Sequence, residues 1–256
     1  MVRLGRAILL LMLAPLCLGA AKPTLVPDVS QRDIEIVYSF TGAELLLFGA
    51  ILYPDGKLPA GDSPTDIVIV VKGPSQSVLV REKRQIAGIW VNAGKARYRS
   101  APSFYALASS RPVRQIVDDR TRAIYELGLD SLQLSPLSTG TGAEPARFAQ
   151  GLVDLKRRGN LYYEAPGAVE ITSGVLYRAR IQIPARVPVG RFTAETFLIR
   201  DGRVLAAAVR DIDIRKSGFE RFVARAAQRD GLLYGLFAVI LSVGLGWAAG
   251  ALWRRI

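Results

Sequence analysis

The stretch GLGWAAG, residues 244–250, carries the spacing of a nucleotide-binding turn. Gly244, Gly246 and Ala249 fit the pattern G-x-G-x-x-G/A, in which glycines let the backbone at a helix N-terminus approach a pyrophosphate. Such a turn needs a strand before it, a helix after it and an acidic residue about 20 positions further on. Only six residues follow Gly250, so we predict no dinucleotide site and no other bound cofactor.

The chain almost lacks the two residue types, histidine and cysteine, that most often bind metals or act as nucleophiles and bases. It has no histidine, and its single cysteine, Cys17, lies in an apolar N-terminal run. Zinc and blue-copper sites, histidine general bases and cysteine nucleophiles are therefore not expected. The sequence predicts no catalytic residues and no metal ligands.

Carboxylates are the remaining route to catalysis, because glycosidases need only a pair of Asp or Glu side chains. The candidates are Asp118, Asp119, Glu164 and Glu170. No spacing singles out a pair, and the adjacent aspartates fall on the polar face of a predicted helix, where solvation explains them. A carboxylate-based periplasmic hydrolase is therefore the less favoured alternative, and the sequence favours a protein that is not an enzyme.

The N-terminal segment has the pattern of an export signal. Arg3 and Arg6 precede an apolar stretch, residues 7–20, that is too short to span a bilayer as a relaxed helix. Small residues follow at 19–21. Residues 1–21 are therefore predicted to be a secretory signal peptide, with an uncleaved anchor as the alternative.

The C-terminal segment has the length and composition of a membrane span. Residues 231–253 carry no charge and are followed by Arg254 and Arg255. As a helix they would reach about 34 Å, more than a hydrocarbon core of about 30 Å. Trp253 stands where an interfacial anchor belongs. The sequence predicts a single transmembrane helix in the inner membrane, a periplasmic main domain and a cytoplasmic tail at 254–256.

Small residues recur along one face of this helix at steps of three and four. They are Gly231, Gly235, Ala238, Ser242, Gly246 and Gly250. Such a stripe lets a second transmembrane helix approach closely, so we predict a packing face for another membrane protein or for a second copy of this chain. The alternative is that glycine and alanine are simply common in membrane helices.

Residues 216–230 lead into this segment and are predicted to form a juxtamembrane amphipathic helix. Arg221, Arg225 and Arg229 would then lie at the membrane surface among the head groups, with an apolar face in the interface. The alternative is a plain stalk. The formal net charge of +12 suits anionic lipids or acidic polymers. Nucleic acid is not an expected partner, because the domain is exported.

Strand signals dominate the exported segment. Residues 22–110 are predicted to be a first β-sandwich module, 111–159 a helical interlude and 160–215 a second sandwich-like module. Within the first module, short strands are expected at 77–83 and 88–92. Within the interlude, one helix is predicted from Val113 and a second after residue 144, and their apolar faces are Ile116, Val117, Ile124 and Leu127 in the first, and Phe148, Leu152 and Leu155 in the second. Short apolar runs separated by turn residues suggest a mainly β fold of immunoglobulin-like sandwiches. The second module is short for an independent core, and the sequence leaves open whether it shares one with the first.

Three segments carry the clearest local predictions. The continuous apolar run 44–54 predicts a buried strand. Residues 175–184, VLYRARIQIP, alternate strictly and place Arg178 and Arg180 on the polar face. Asp201-Gly202 separates two further strand runs and suits a type I′ hairpin turn.

Several structural motifs together resemble a family of transmembrane proteins from alphaproteobacteria, Alph_Pro_TM. They are YSFTGAELLLFGAI (38–51), GIWVN (88–92) and PVGRFTAETFLIRDGRVL (188–205), together with the lone C-terminal apolar segment. The resemblance covers the mature chain and implies a membrane protein. It implies no assigned activity and no functional residues. The resemblance also implies a partner, which would be a membrane exporter of sulfite or organosulfur anions.

The sequence therefore favours a membrane-anchored periplasmic protein with a non-catalytic binding or accessory role, docked to a membrane transporter. The alternative is a surface protein that binds envelope glycans or lipids. It would use the basic strand face of Arg178 and Arg180 and the basic segment near Arg221.

Overall fold

The computed structural model describes residues 22–36, 42–58, 64–137, 144–216, 227–229 and 231–253, with the side chains at 35–36, 55, 144, 216, 233, 248–249 and 251–253 left out of that description. The signal peptide (1–21) and the tail (254–256) lie outside the described residues. So do Arg221 and Arg225 of the juxtamembrane segment. These assignments stay predictions.

The described part of the chain is mainly β, as predicted. Its strands are β1 (Thr24–Val29), β2 (Asp33–Ile36), β3 (Gly42–Leu52), β4 (Thr65–Lys72), β5 (Ser75–Ile86), β6 (Ile89–Pro102), β7 (Tyr105–Ser109), β8 (Ser135–Pro136), β9 (Tyr162–Pro166), β10 (Val169–Thr172), β11 (Leu176–Pro184), β12 (Gly190–Arg200) and β13 (Arg203–Lys216). The longer helices are α1 (Asp119–Tyr125), α2 (Glu144–Arg158) and α3 (Gly231–Trp253), and short 3-10 helices cover Pro54–Gly56, Val113–Gln115 and Leu129–Ser131.

Two sheets pack face to face to form the sandwich. Sheet A has the order β1-β3-β11-β10, and sheet B has the order β2-β13-β12-β4-β7-β9. Each sheet combines strands from before and after the helical interlude, and one apolar cluster joins the inner faces of both. The two β stretches, whose independence the sequence left open, therefore share one core. The β2–β13 and β7–β9 pairs are parallel, and an immunoglobulin-like topology is not confirmed.

Alternating strands and the hairpin turn form as predicted. On β11, Tyr177, Ala179, Ile181 and Ile183 are buried, and the residues between them point outward. Each large apolar side chain buried in this way contributes roughly 1.5–3 kcal/mol. Asp201 and Gly202 join β12 to β13 with φ angles of 50° and 73°, the left-handed pair that a type I′ turn requires.

The apolar run at 44–54 is not buried on both faces, which corrects the prediction of a wholly buried strand. Leu45, Leu47 and Ile51 of β3 face the core, but Phe48 and Leu52 are 40% and 53% exposed. The reason is that β3 lies in sheet A, whose inner face packs on sheet B while its outer face meets solvent. Among the described strands, β4 and β7 are buried on both faces.

The helical interlude explains the burial of β4, because it covers the second face of sheet B. Ile116, Val117, Leu127 and Leu129 form a cluster with the outward side chains of the central strands of that sheet. The predicted helix from Val113 is broken into a 3-10 turn and α1. Asp118 causes the break, since its Oδ1 accepts a hydrogen bond from the Thr121 amide at 2.8 Å and so starts a new helix. Ile124, predicted to share the apolar face, is exposed.

The long hairpin β5–β6 extends the sandwich. Short strands at 77–83 and 88–92 were expected, whereas the structure pairs Ser75 with Pro102 and Ile86 with Ile89. Gly73 donates to the Phe104 carbonyl at 2.9 Å and Ser103 to the Pro74 carbonyl at 3.0 Å, so this ladder continues that of β4 and β7.

Helix α2 covers one face of the middle of the hairpin, where it packs on Val80, Ala96 and Tyr98. Phe148 and Leu152 are buried against it, as the helical spacing predicts. Leu155, assigned to the same face, is 61% exposed. It lies one turn further along α2, at the end nearest the helix C-terminus at Arg158.

Candidate functional site

Helix α3 presents the most apolar surface of the described chain. Its sequence, GLLYGLFAVILSVGLGWAAGALW, is rich in Leu and Ala, which favour a helix, and has no proline or charge, although its glycines lower the intrinsic helix propensity. The segment is helical from Gly231 to Trp253, as predicted. Its large apolar side chains are turned outward, with Leu232 93% and Trp247 74% exposed.

The small-residue stripe lies open along this helix. A Cβ placed on Gly231, Gly235, Gly246 or Gly250 would meet no described atom within 4 Å outside the helix itself. Ala238 and Ser242 continue the stripe, and the Ser242 hydroxyl donates to the Ala238 carbonyl at 2.8 Å. The hydroxyl therefore has its hydrogen-bond acceptor within the helix, and the face presents only small side chains. Its use as a packing face stays a prediction.

Residues 227–229 precede α3 and are helical and exposed, which places Arg229 on an exposed helical position. This agrees with a helix in that part of the predicted juxtamembrane segment. Over the residues that the structure describes, no helix combines the length and the apolarity needed to cross a membrane.

The predicted carboxylate candidates are not brought together. Asp118 caps α1, and its pKa is lowered chiefly by the hydrogen bonds that it accepts from Thr121. Asp119 pairs with Arg122 at 2.8 Å. Glu164 accepts from the Leu129 amide at 2.6 Å. Each of these carboxylates therefore has a local structural partner.

The basic strand face is neutralised by acidic neighbours. Arg178 makes a 2.6 Å ion pair with Glu170, and Arg180 lies 3.7 Å from Glu44. All four side chains are on the exposed outer face of sheet A. This surface carries as many carboxylates as guanidiniums at these positions, and it offers little net attraction for an anionic glycan or lipid.

A three-charge cluster that the sequence did not reveal lies on the other side of the molecule. Lys72 Nζ is 2.8 Å from Glu126 Oε2 and 3.3 Å from Glu195 Oε2, beside a cleft of about 360 Å³. The Tyr105 hydroxyl donates to the Glu126 carbonyl at 2.7 Å and accepts from the Gly128 amide at 2.9 Å, which fixes the loop that carries Glu126. Burial raises the pKa of Tyr105, so its phenol stays protonated and can keep donating.

The electrostatics of this cluster suit a structural role. Burial alone would lower the pKa of the Lys72 ammonium, but its hydrogen bond to Glu126 and the attraction of Glu195 and Glu126 raise it. Lys72 therefore stays cationic at neutral pH and is neither a base nor a nucleophile. The three residues come from β4, the end of α1 and β12, so no local sequence pattern could have found them. Within the described residues, no cluster of acidic, histidine or cysteine side chains suits a metal ion.

Comparison with protein families gives one match along almost the whole described chain. The family described as "Putative transmembrane protein (Alph_Pro_TM)" matches residues 24–255. The chain belongs to this family. No curated protein and no solved structure gives a match.

The Alph_Pro_TM match begins at the first residue of β1 and extends beyond the last residue of α3. The sandwich, the β5–β6 hairpin and the apolar helix are therefore all parts of the region that defines the family. The resemblance inferred from the motifs at 38–51, 88–92 and 188–205 is confirmed.

Proposed function

We propose that this protein is a single-pass inner-membrane protein that acts as a non-catalytic binding or accessory module. Helix α3 anchors it, the β-sandwich lies in the periplasm, and the C-terminus is in the cytoplasm. The family's description supports the membrane location. The uncharged run of residues 231–253 supports the span, because it exceeds the hydrocarbon thickness.

The observation that carries the proposal is the outward-facing apolar surface of α3. Leu232, Phe237, Val243 and Trp247 are each more than 60% exposed. So continuous an apolar surface is unusual in water, since soluble monomers rarely expose apolar patches of more than a few hundred Å². Lipid chains and a neighbouring helix are the media that suit it.

The open glycine face supports docking to a second membrane helix. Without Cβ atoms at Gly235, Gly246 and Gly250, a partner backbone can approach closely and gain van der Waals contact. We propose that another membrane protein binds this glycine face, and the family resemblance suggests an anion exporter. The alternative is that a second copy of this chain binds there. The accessory role is supported by the carboxylates described above, because each of them is already held by a hydrogen bond or an ion pair.

The anchor is tested by washing membranes that contain the full-length protein with alkaline carbonate. We expect the protein to stay in the membrane pellet, because a hydrocarbon-spanning helix resists a change of pH that removes peripheral proteins. Release into the supernatant, with a known integral protein retained in the same sample, would overturn the anchoring.

The docking face is tested by co-purification from native membranes in mild detergent. We expect Gly246→Leu to reduce recovery of the partner, or of the self-pair, by about tenfold or more, since losing about 1.4 kcal/mol of helix packing suffices. Gly244→Leu is the matched control. It makes the same change two positions away, about 160° around the helix, at a glycine that is equally open. Equal recovery with both variants, or recovery of monomer alone from the unchanged protein, would contradict the docking face.

A further inference from the structure

The tip of the β5–β6 hairpin is an exposed apolar knob. Ile86, Ile89 and Trp90 are 58%, 68% and 65% exposed, and Val91 beside them is 38% exposed. No charged side chain occurs from Ile86 to Val91. We call the segment from Ile86 to Val91 the tip.

The tip is apolar on both faces of the hairpin. Ile86 pairs with Ile89, and Gln85 pairs with Trp90. Paired residues share a face and successive residues alternate, so the isoleucines project on one face and Trp90 on the other. A flat protein interface would need one apolar face, whereas a knob that is apolar all round suits immersion in an apolar medium.

The turn at the tip is also apolar, although this requires an alanine in a strained backbone conformation. Ala87 and Gly88 join the strands with φ angles of 50° and 83°. Asn or Asp is the usual residue at the first of these positions, because alanine is strained in the left-handed region. The chain thus holds a non-polar residue where a polar one would relieve the strain, which points to a functional requirement for the tip.

Basic residues flank the tip along both strands. We call the exposed basic part of the two strands the stem, and its six cations are Arg81, Lys83, Arg84, Lys95, Arg97 and Arg99. Glu82 is the one acidic residue in β5 and β6. Glu82 is already shared between Arg84 at 3.3 Å and Arg147 at 3.1 Å. The stem therefore carries a strong positive potential, which attracts a negatively charged surface.

The spacing of cations and apolar residues fits a bilayer interface. Arg84 and Lys83 lie two and three residues before Ile86 on β5. At about 3.3 Å per residue they stand roughly 7–10 Å from the isoleucine. Amphipathic helices at a bilayer surface bury their apolar face about 5–10 Å into the boundary between head groups and acyl chains, and we take the same depth for the tip. With the tip at that depth, the two cations reach the level of the lipid phosphates.

The topology places the hairpin at the end of the sandwich from which the chain leaves for α3. Strands β4 and β13 both pair antiparallel with β12, so they run in the same direction and end at the same edge. Thr193 lies between Lys72 on one side and Asp211 on the other. Strand β5 follows the end of β4, and the segment leading to α3 follows the end of β13.

From these observations we infer that the tip inserts into the interface of an anionic bilayer, while the basic stem binds the lipid phosphates. The inference rests on the proposed anchoring by α3 for its orientation. The hairpin is then a second membrane contact in addition to α3, and two contacts fix the orientation of the sandwich relative to the bilayer.

The test reads the environment of Trp90 in the full-length chain. The chain has three tryptophans, so Trp247→Phe with Trp253→Phe leaves Trp90 as the lone reporter. This protein is reconstituted into phosphatidylcholine vesicles with and without phosphatidylglycerol. With the anionic lipid we expect blue-shifted emission, quenching by acyl-brominated lipid and reduced quenching by acrylamide.

Paired variants separate the tip from the stem. Ile86→Ser with Ile89→Ser should shift the insertion equilibrium by about 100-fold or more, since burying each isoleucine is worth roughly tenfold or more. Lys83→Gln with Arg84→Gln should remove the dependence on anionic lipid. Leu52→Ser with Leu176→Ser is the control, and it should leave the quenching unchanged, because these leucines are similarly exposed but lie on sheet A.

Two results would overturn the inference. In the first, Trp90 stays open to acrylamide and insensitive to brominated lipid in anionic vesicles. In the second, Trp90 is shielded only in native membranes and is not quenched by brominated lipid, which would assign the tip to a protein partner. If carbonate releases the chain, vesicles are added to the released protein and the same emission is read, so the anchor and the tip are tested separately.

Discussion

Replacing Phe104 with alanine is expected to lower the free energy of unfolding by about 3–5 kcal/mol, the usual range for removing a buried phenylalanine. Phe104 is fully buried, and its ring lies 6.1 Å from that of Tyr163 and 6.0 Å from that of Phe192. It lies where the β4–β7 ladder passes into the β5–β6 hairpin. Its backbone accepts the hydrogen bond from Gly73 that continues the ladder.

The reason for so large an effect is that the site cannot close around the lost ring. A Cβ on Gly73 would already stand 2.9 Å from Phe192 and 3.0 Å from the Phe104 amide, so backbones and rings meet closely here. Urea unfolding of the full chain in mild detergent, followed by circular dichroism, measures the change. Phe48→Ala is the matched control, because Phe48 is 40% exposed on sheet A. A similar loss in both variants would contradict the account.

Local features of the fold could be predicted from the sequence where one physical rule dominates. Strand β11 follows from strict alternation, and the β12–β13 hairpin follows from Asp201-Gly202, since the left-handed pair of a type I′ turn is favourable for few residues. The burial of β3 could not be predicted, because Phe48 and Leu52 are apolar residues on a solvent face. The strand order could not be predicted either, because β4 pairs with β12, which lies about half the chain length away in sequence.

Some of the candidate surfaces could likewise be predicted from the sequence, and others could not. The stripe on α3 could be predicted, because one helix period decides which side chains share a face. Short strands were expected at 77–83 and 88–92, but the full length of the β5–β6 hairpin was missed, because its stem is rich in Arg and Lys and lacks the apolar alternation of a core strand. Its signal was nevertheless local: an Ala-Gly turn between Ile86 and Ile89, flanked by cations. The Lys72 cluster was beyond prediction, since its members meet only through tertiary structure.

Replacing Lys72 with methionine is expected to lower the free energy of unfolding by about 2–3 kcal/mol. The methionine keeps the volume of the side chain but leaves Glu126 and Glu195 without the cation that lies within 3.3 Å of both. Breaking a fully buried ion pair costs about 3–5 kcal/mol. The estimate is lower here because the three side chains keep 20–27% of their exposure, and water partly replaces the lost partner.

The pH dependence of this effect has a definite sign. The folded-state pKa of Lys72 is raised above its ordinary value of 10.5. Its contribution to stability is therefore complete below pH 10.5 and is lost as the pH rises through the folded-state pKa. The difference between the unchanged protein and Lys72→Met should stay constant from neutral pH upward and shrink only in strongly alkaline solution. A difference that shrinks near pH 7 would contradict the charge assignment.

A triple variant separates the cost of an unpaired charge from the loss of packing. Lys72→Met with Glu126→Gln and Glu195→Gln removes all three charges while keeping the side-chain volumes. Because the penalty comes from carboxylates left without a cation, we expect the triple variant to recover most of the stability that Lys72→Met loses. The cluster then holds the end of α1 against sheet B through charge balance alone. If the triple variant is as unstable as the single one, the cluster stabilises the fold through geometry that glutamine and methionine cannot reproduce.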